Sequence, residues 1–258
     1  MISWLISEDE LEKYRQLNLP LLISLPDTGL ISHIAGGHLI SELKLKYIGF
    51  IDAEWVPPFI AFVNGKSLPP IRIYADNKIM VYFSEIPLDN IIWRFTALSI
   101  YELYERIRPS MILGGIGLPY MKRQEVTDRN MLRVFIGGHN TESITNKDVK
   151  EYVTSIKSFT GGLYGVYATI IQTFSKKNIP IIIHVIDSFP YFPDIDASIV
   201  YLLHLSKMLN ISIDITALEE KASQIKLLAR SMMKQIQTQM SSQQPSPTGT
   251  KPMSSIYM

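Results

Sequence analysis

Short continuous runs of apolar residues alternate along the chain with longer segments in which apolar residues recur at helical spacing. The runs are typical of strands buried in a sheet, and they lie at residues 21–25, 47–51, 59–63, 71–74, 79–83, 111–113, 133–136 and 181–186. The periodic segments predict helices, and they lie at residues 30–43, 88–106, 163–176 and 194–209. This alternation indicates an α/β fold whose largely parallel sheet is covered by helices on both faces.

Two turn signals make the predicted sheet mixed. Asn64-Gly65 is a strong hairpin signal, and Asp76-Asn77 separates two further strand-like runs. Strands joined by a hairpin are antiparallel, so the sheet is expected to contain both kinds of pairing. Neither an internal repeat nor a linker interrupts residues 1–215, and residues 1–240 are predicted to form one α/β domain.

A long final helix is predicted from Thr216, because Thr216 and Glu219 have the spacing of a capping box. Apolar residues then alternate spacings of four and three along Leu218, Ala222, Ile225, Ala229, Met232, Ile236 and Met240. This heptad seam is interpreted either as the face of a helix that packs on its own domain or as an oligomer contact or a stalk. Residues 241–252 contain no apolar side chain but three prolines and a glycine. Residues 241–258 are therefore predicted to be a flexible, disordered tail.

The composition limits the classes of partner and compartment. Of the 258 residues, 47% are hydrophobic, and 25 basic against 24 acidic side chains leave a net charge of +1. The hydrophobic share is enough for a substantial core. Because the chain has no basic excess, it is not expected to bind nucleic acid. The absence of cysteine excludes disulfides, thiolate metal sites and a cysteine nucleophile. The chain has no signal peptide features and no apolar stretch near the roughly 20 residues that span a bilayer, so a soluble, cytoplasmic protein without membrane contact is expected.

Signals for an enzyme are weak. The chain contains neither a G-x-S-x-G nucleophile elbow nor a G-x-x-x-x-G-K-[ST] phosphate loop, and no cofactor is expected. Gly114-Gly115-Ile116-Gly117 follows a strand but runs into Leu118-Pro119 rather than a helix, so it is interpreted as a simple turn. The enzymatic alternative pairs His184 with Asp187 as acid and base at the carboxyl end of a strand, where ligands bind in open α/β sheets.

An aromatic-proline loop runs from Asp187 to Asp194. Its two prolines bracket Tyr191 and Phe192 and stiffen the segment. Two interpretations stay open: the loop is a packed cap over the sheet, or it is an interface patch.

The last three residues, Ile256-Tyr257-Met258, are large and apolar although they end a polar segment. A hydrophobic-Tyr-any ending arises by chance in about one chain in a hundred at average composition. The pattern is typical of a peptide anchor, a known mode of recognition for chain termini. Ile256 would supply an apolar flank, Tyr257 a ring and a hydroxyl, and Met258 the free carboxylate.

Several segments, taken in order, resemble the proteasome assembly chaperone family in its archaeal branch. They are LPDTGL at 25–30, AGGHLI at 35–40, GGIG at 114–117, FTGGLYG at 159–165, FPYFPD at 189–194 and LEEKA at 218–222. Asp27-Thr28 departs from the Gly-hydrophobic pair usual in that first turn. The tripeptide Ile256-Tyr257-Met258 is similar to the docking motif of proteasome activators, which enters pockets between α subunits of the 20S core particle.

The resemblance implies a three-layer αβα fold, the absence of catalytic activity, and a homo-oligomer such as a tetramer. It also implies that Ile256, Tyr257 and Met258 bind α subunits of the core particle and favour gate opening without ATP. Two other functions stay open. One is a phosphorylase- or hydrolase-like enzyme with a site at Gly114–Gly117 and His184–Asp187, and the other is a structural oligomer whose tail is inert.

Overall fold

The computed structural model describes residues 2–86 and 90–223 of the chain. The contacts divide the chain into two compact units, Met1–Glu219 and Glu220–Met258, and the sheet and helices described below belong to the first. The tail predicted from residue 241 lies outside the described residues, and so does the predicted domain boundary that precedes it.

A mixed sheet forms the centre of the first unit. In chain order the strands are β1 (Ile2–Ile6), β2 (Leu21–Ser24), β3 (Lys46–Ala53), β4 (Ala61–Val63), β5 (Lys66–Leu68), β6 (Ile71–Ala75), β7 (Met80–Ser84), β8 (Ile112–Pro119), β9 (Val134–His139) and β10 (Ile181–Ser188). The main sheet has the strand order β1-β3-β6-β7-β2-β8-β10-β9, and β4 pairs with β5 in a separate hairpin.

Parallel pairing occupies the middle of the sheet and antiparallel pairing its flanks. Strands β7, β2, β8 and β10 run parallel as neighbours. Strands β1, β3 and β6 extend the sheet antiparallel on one side, and β9 does so on the other. The mixed α/β sheet predicted from the sequence is confirmed, together with the Asn64-Gly65 hairpin and the Asp76-Asn77 turn between β6 and β7.

Helices cover both faces of this sheet. They are α1 (Glu8–Leu17), α2 (Ile31–Glu42), α3 (Asn90–Ile107), α4 (Lys147–Ser155), α5 (Val166–Thr173) and α6 (Ile195–Leu209). Helix α3 contacts α1 and α5 on one face, whereas α6 contacts α2 and α4 on the other. The three-layer αβα arrangement is therefore confirmed. Among the described residues, no helix combines the length and the apolar character needed to cross a membrane.

Strand β10 illustrates why the central runs are apolar throughout. Successive side chains of a strand point to opposite faces. Ile183 and Val185 belong to the core cluster that includes residues of α3 and α5. His184 lies between them and contacts Tyr201 of α6, with ring centroids 5.2 Å apart and ring planes at 58°. All eight residues of the strand are buried because both faces are covered.

Asp and Asn residues set the ends of α6 and the start of the helix that follows it. The Asp194 carboxylate accepts a hydrogen bond from the Ala197 amide at 3.0 Å and begins α6. Asn210, in the left-handed region at φ 52°, ends it, as the sequence predicts. The next helix starts at Thr216, but its cap is the Asp214 carboxylate, which accepts from the Thr216 amide and hydroxyl. The predicted Thr216–Glu219 capping box is therefore wrong.

Candidate functional site

The three residues predicted to bind the proteasome, Ile256, Tyr257 and Met258, lie outside the described residues. So do the positions of the heptad seam from Ile225 onward. The other features that the sequence singles out lie along β8 and β10 and in the loop that follows β10. Gly114, Gly115 and His184 lie within these strands, whereas Asp187 and the loop lie at the carboxyl edge of the central parallel strands, where open α/β sheets bind ligands.

The run Gly114–Gly117 continues strand β8 and forms no turn, so the turn prediction is wrong. A β-carbon on Gly114 would lie 2.4 Å from Cε1 of Tyr167, and one on Gly115 would lie 2.6 Å from Cε1 of Tyr201. Tyr167 comes from α5 and Tyr201 from α6, on opposite faces of the sheet. The two glycines are needed because a tyrosine ring presses onto the strand from each side.

Replacement of Gly115 by alanine is expected to lower the free energy of unfolding by about 1–3 kcal/mol, because the new methyl group overpacks against the buried Tyr201 ring. Gly162→Ala is the matched control, since nothing lies within 4 Å of the β-carbon position there. Urea unfolding of both variants measures the difference. Equal midpoints for the two variants would show that the Tyr201 ring does not require a glycine.

His184 and Asp187 do not form the acid–base pair that the enzymatic alternative requires. They are three residues apart on one strand, and an odd spacing sends side chains to opposite faces. His184 Nε2 lies 3.1 Å from the Tyr152 hydroxyl, which also contacts Nδ1 of His204. Burial, assisted by the nearby His204, lowers the pKa of His184 to about 3. The ring is therefore neutral at neutral pH and belongs to a buried polar cluster.

Asp187 is bound by an arginine that the sequence analysis did not single out. Arg133 donates from Nε to Oδ2 at 2.7 Å and from Nη2 to Oδ1 at 2.9 Å, and its amide also donates to the carboxylate. Such bidentate pairs fix geometry as well as charge. The contact ties the start of β9 to the carboxyl end of β10.

A second arginine holds the base of the aromatic-proline loop. Arg123 donates from Nε and Nη2 to the two carboxylate oxygens of Asp194, at 2.7 and 2.8 Å. The side chains of this pair are 2% and 1% exposed. The Arg123 guanidinium also lies 4.6 Å from the ring centre of Phe189, near the start of the loop. Arg123 therefore anchors both ends of the segment from Phe189 to Asp194.

The tip of the same loop is open to solvent. Tyr191 is 82% exposed and Phe192 is 67% exposed. The loop thus has a packed base and an exposed aromatic tip, and the interface interpretation stays a prediction for the tip.

A further set of exposed apolar side chains lies on α3 and in and just before the β4–β5 hairpin. Its residues, called here the α3–hairpin surface, are Phe59, Ile60, Phe62, Val63, Ile91, Phe95 and Leu98. Trp55, just before the hairpin, stacks on Phe95 with ring centroids 5.9 Å apart and joins the two parts. Large apolar side chains that are exposed in groups mark interaction sites on soluble proteins.

A sequence profile of the PAC2 family matches residues 21–233, which is most of the chain. The chain belongs to the PAC2 family. A curated relative, the uncharacterized protein MJ0106 of Methanocaldococcus jannaschii, is 26% identical over 207 residues, which are 80% of this chain and 82% of that protein.

Two solved structures from Pyrococcus furiosus have the same fold as this PAC2 protein. PbaA, an archaeal homolog of proteasome-assembly chaperone, matches with a TM-score of 0.75 at 22% identity, over 93% of this chain and 95% of PbaA. PbaB, an archaeal proteasome activator, matches with a TM-score of 0.67 at 18% identity, over 84% of this chain and 93% of PbaB. At these identities the likeness establishes the fold.

Proposed function

We propose that this PAC2 protein is a proteasome assembly chaperone or activator that works in the cytoplasm without ATP. It binds α subunits of the 20S core particle through Ile256, Tyr257 and Met258 and favours opening of the gate. The observation that supports this most is the fold shared with PbaA and PbaB over most of the chain. The sequence adds an ending similar to the docking motif of proteasome activators.

The chemistry of the ending suits insertion into a pocket on a partner. Burial of the Tyr257 ring contributes about 1.5–3 kcal/mol, and a charge-assisted contact to the Met258 carboxylate contributes about as much again. If the segment from Gln239 to Ser254 is the flexible coil that its composition predicts, it would span roughly 20 Å, and about 50 Å at full stretch. One tail of this kind binds weakly but reaches well beyond its own domain.

Several weak anchors joined in one oligomer bind the core particle more tightly than a single anchor, so the proposal includes a homo-oligomer. Each further tail then binds at an effective concentration near millimolar. We place a contact between copies at the α3–hairpin surface, because it gathers seven large apolar side chains that are exposed in the described residues, and grouped exposed apolar side chains mark interaction sites.

Phe62→Glu is expected to dissociate this contact. The Phe62 side chain is 77% exposed, so the fold should tolerate a carboxylate there, whereas burial of that charge between two copies is costly. Met131→Glu, at a side chain that is 72% exposed outside the α3–hairpin surface, is the matched control. Size-exclusion chromatography with light scattering at micromolar concentration measures the mass. A monomeric wild type, or a Phe62→Glu variant of wild-type mass, contradicts the proposed contact.

The function itself is tested with purified protein and a closed-gate 20S core particle from the same organism. The proposal predicts faster hydrolysis of a short fluorogenic peptide without nucleotide, and no further increase with ATP. The enzymatic alternative has no comparable support, because the sheet separates His184 from Asp187. An unchanged rate with an oligomeric protein would favour a purely structural role.

A further inference from the structure

A cavity of about 330 Å³ opens at the carboxyl end of the central strands and is not used by the proposed function. Residues that follow β2, the end of β8 and Val185 of β10 form its inner wall. Open α/β sheets bind ligands in such a crevice beyond the carboxyl ends of the strands. Its volume is near the lower limit of small-molecule sites and therefore suits a small or narrow ligand.

The outer wall of this cavity is aromatic and apolar. Trp93 of α3 and Tyr164 meet edge to face, with ring centroids 5.0 Å apart and planes at 90°. Phe159 and Leu118 also line the cavity. Tyr164 is 80% exposed although its ring packs on Trp93, so it lies at the mouth. These walls can accept methylene groups and attract a cation through the faces of the rings.

One carboxylate, that of Asp27, lines the cavity. Asp187 and Asp194 lie at the same edge of the sheet, and each is bound bidentately by an arginine. Among the described residues, no Lys, Arg or His forms an ion pair with Asp27. Burial raises the pKa of the Asp27 carboxyl, and a cation bound beside it would favour the ionised form.

The local hydrogen bonds of Asp27 narrow the kind of cation that fits. Its Oδ1 already accepts a hydrogen bond from the Thr28 amide at 2.6 Å. A guanidinium prefers both oxygens of a carboxylate, and a divalent metal ion needs several oxygen ligands. An ammonium group is a compact charge that one carboxylate oxygen can bind.

We propose that this cavity binds an aliphatic primary amine, with the ammonium group against Asp27 and the methylene chain along Trp93 and Tyr164. The same chemistry is offered by a free alkylamine and by a lysine side chain of a partner protein. This inference does not depend on the docking of the C-terminal residues.

The test is calorimetric titration of the full-length protein with pentylamine, with the neutral isostere pentan-1-ol, and with Nα-acetyl-lysine N-methylamide. We expect pentylamine to bind and pentan-1-ol not to bind at the same millimolar concentration. Asp27→Asn should lower the affinity for pentylamine about tenfold or more. The substitution removes the charge but keeps an oxygen that can accept the hydrogen bond from the Thr28 amide. Asp52→Asn, at an exposed carboxylate of β3, should leave the affinity unchanged.

A second variant covers the case in which Asp27→Asn disturbs the fold. Tyr164→Leu replaces a mostly exposed ring and should lower the affinity for pentylamine severalfold. If the lysine derivative binds as tightly as pentylamine, the result supports a lysine side chain of a protein as the ligand. If pentylamine binds and the lysine derivative does not, the result supports a free amine. The proposal is overturned if neither amine binds, or if pentylamine binds wild type, Asp27→Asn and Tyr164→Leu equally.

Discussion

Arg123→Ala is expected to lower the free energy of unfolding by about 3–5 kcal/mol, the cost of leaving one partner of a buried ion pair without the other. Asp194 is 1% exposed and would lose both of its bonds to the guanidinium. Asp196, whose Oδ2 lies 3.5 Å from Nη2 of Arg123, would lose a third contact. The Val126 carbonyl would lose its donor as well.

The effect should extend to the loop and to helix α6, because Asp194 is also the residue that caps this helix. Arg108→Ala is the control, since Arg108 forms a half-exposed pair with Glu105, and exposed pairs contribute about 0–1 kcal/mol. Chemical unfolding followed by circular dichroism compares the two variants. An Arg123→Ala protein as stable as Arg108→Ala would mean that the buried network adds nothing to stability.

Tyr257→Ala is expected to abolish the stimulation of a closed-gate core particle by this protein. Loss of the ring from one tail weakens its binding by about tenfold to a hundredfold, and the loss multiplies over the tails of an oligomer. The melting temperature should stay unchanged, because the tail is predicted to lie beyond a polar, proline-rich linker and to support no core contact.

Tyr191→Ala is the matched control for this variant, since Tyr191 is another exposed tyrosine but lies on the folded body. It should leave peptide hydrolysis at the wild-type level. A protein whose Met258 carboxylate is amidated should behave like Tyr257→Ala, because the charge that anchors the chain end is gone. Equal stimulation by wild type, Tyr257→Ala and the amidated protein would refute the anchor and leave the structural role.

The central strands could be predicted from the sequence because their apolar runs are dictated by burial on both faces. Residues 181–186 all fall within β10, and Asp194 and Asn210 mark both ends of α6. Helices α1 and α4 were missed although each has a cap in the sequence. Ser7 accepts from the Glu10 amide and Asn146 from the Val149 amide, which are signals that a search for caps would have found.

The site depends on contacts that no local pattern reveals. Gly114–Gly117 has the composition of a turn, but Gly114 and Gly115 are required by Tyr167 and Tyr201, which come from helices distant in sequence. Arg123 and Asp194 are separated by 71 residues and meet only in the fold. The His184–Asp187 pair could have been rejected from the sequence, because the predicted strand already places an odd spacing on opposite faces.

Sedimentation velocity of the fluorescently labelled full-length protein, mixed with the purified 20S core particle, tests the central claim most directly. The proposal predicts that at micromolar concentration the label moves with the core particle, and that removal of Ile256, Tyr257 and Met258 returns it to the position of the free protein. A wild-type protein that sediments independently of the core particle would contradict the proposed function.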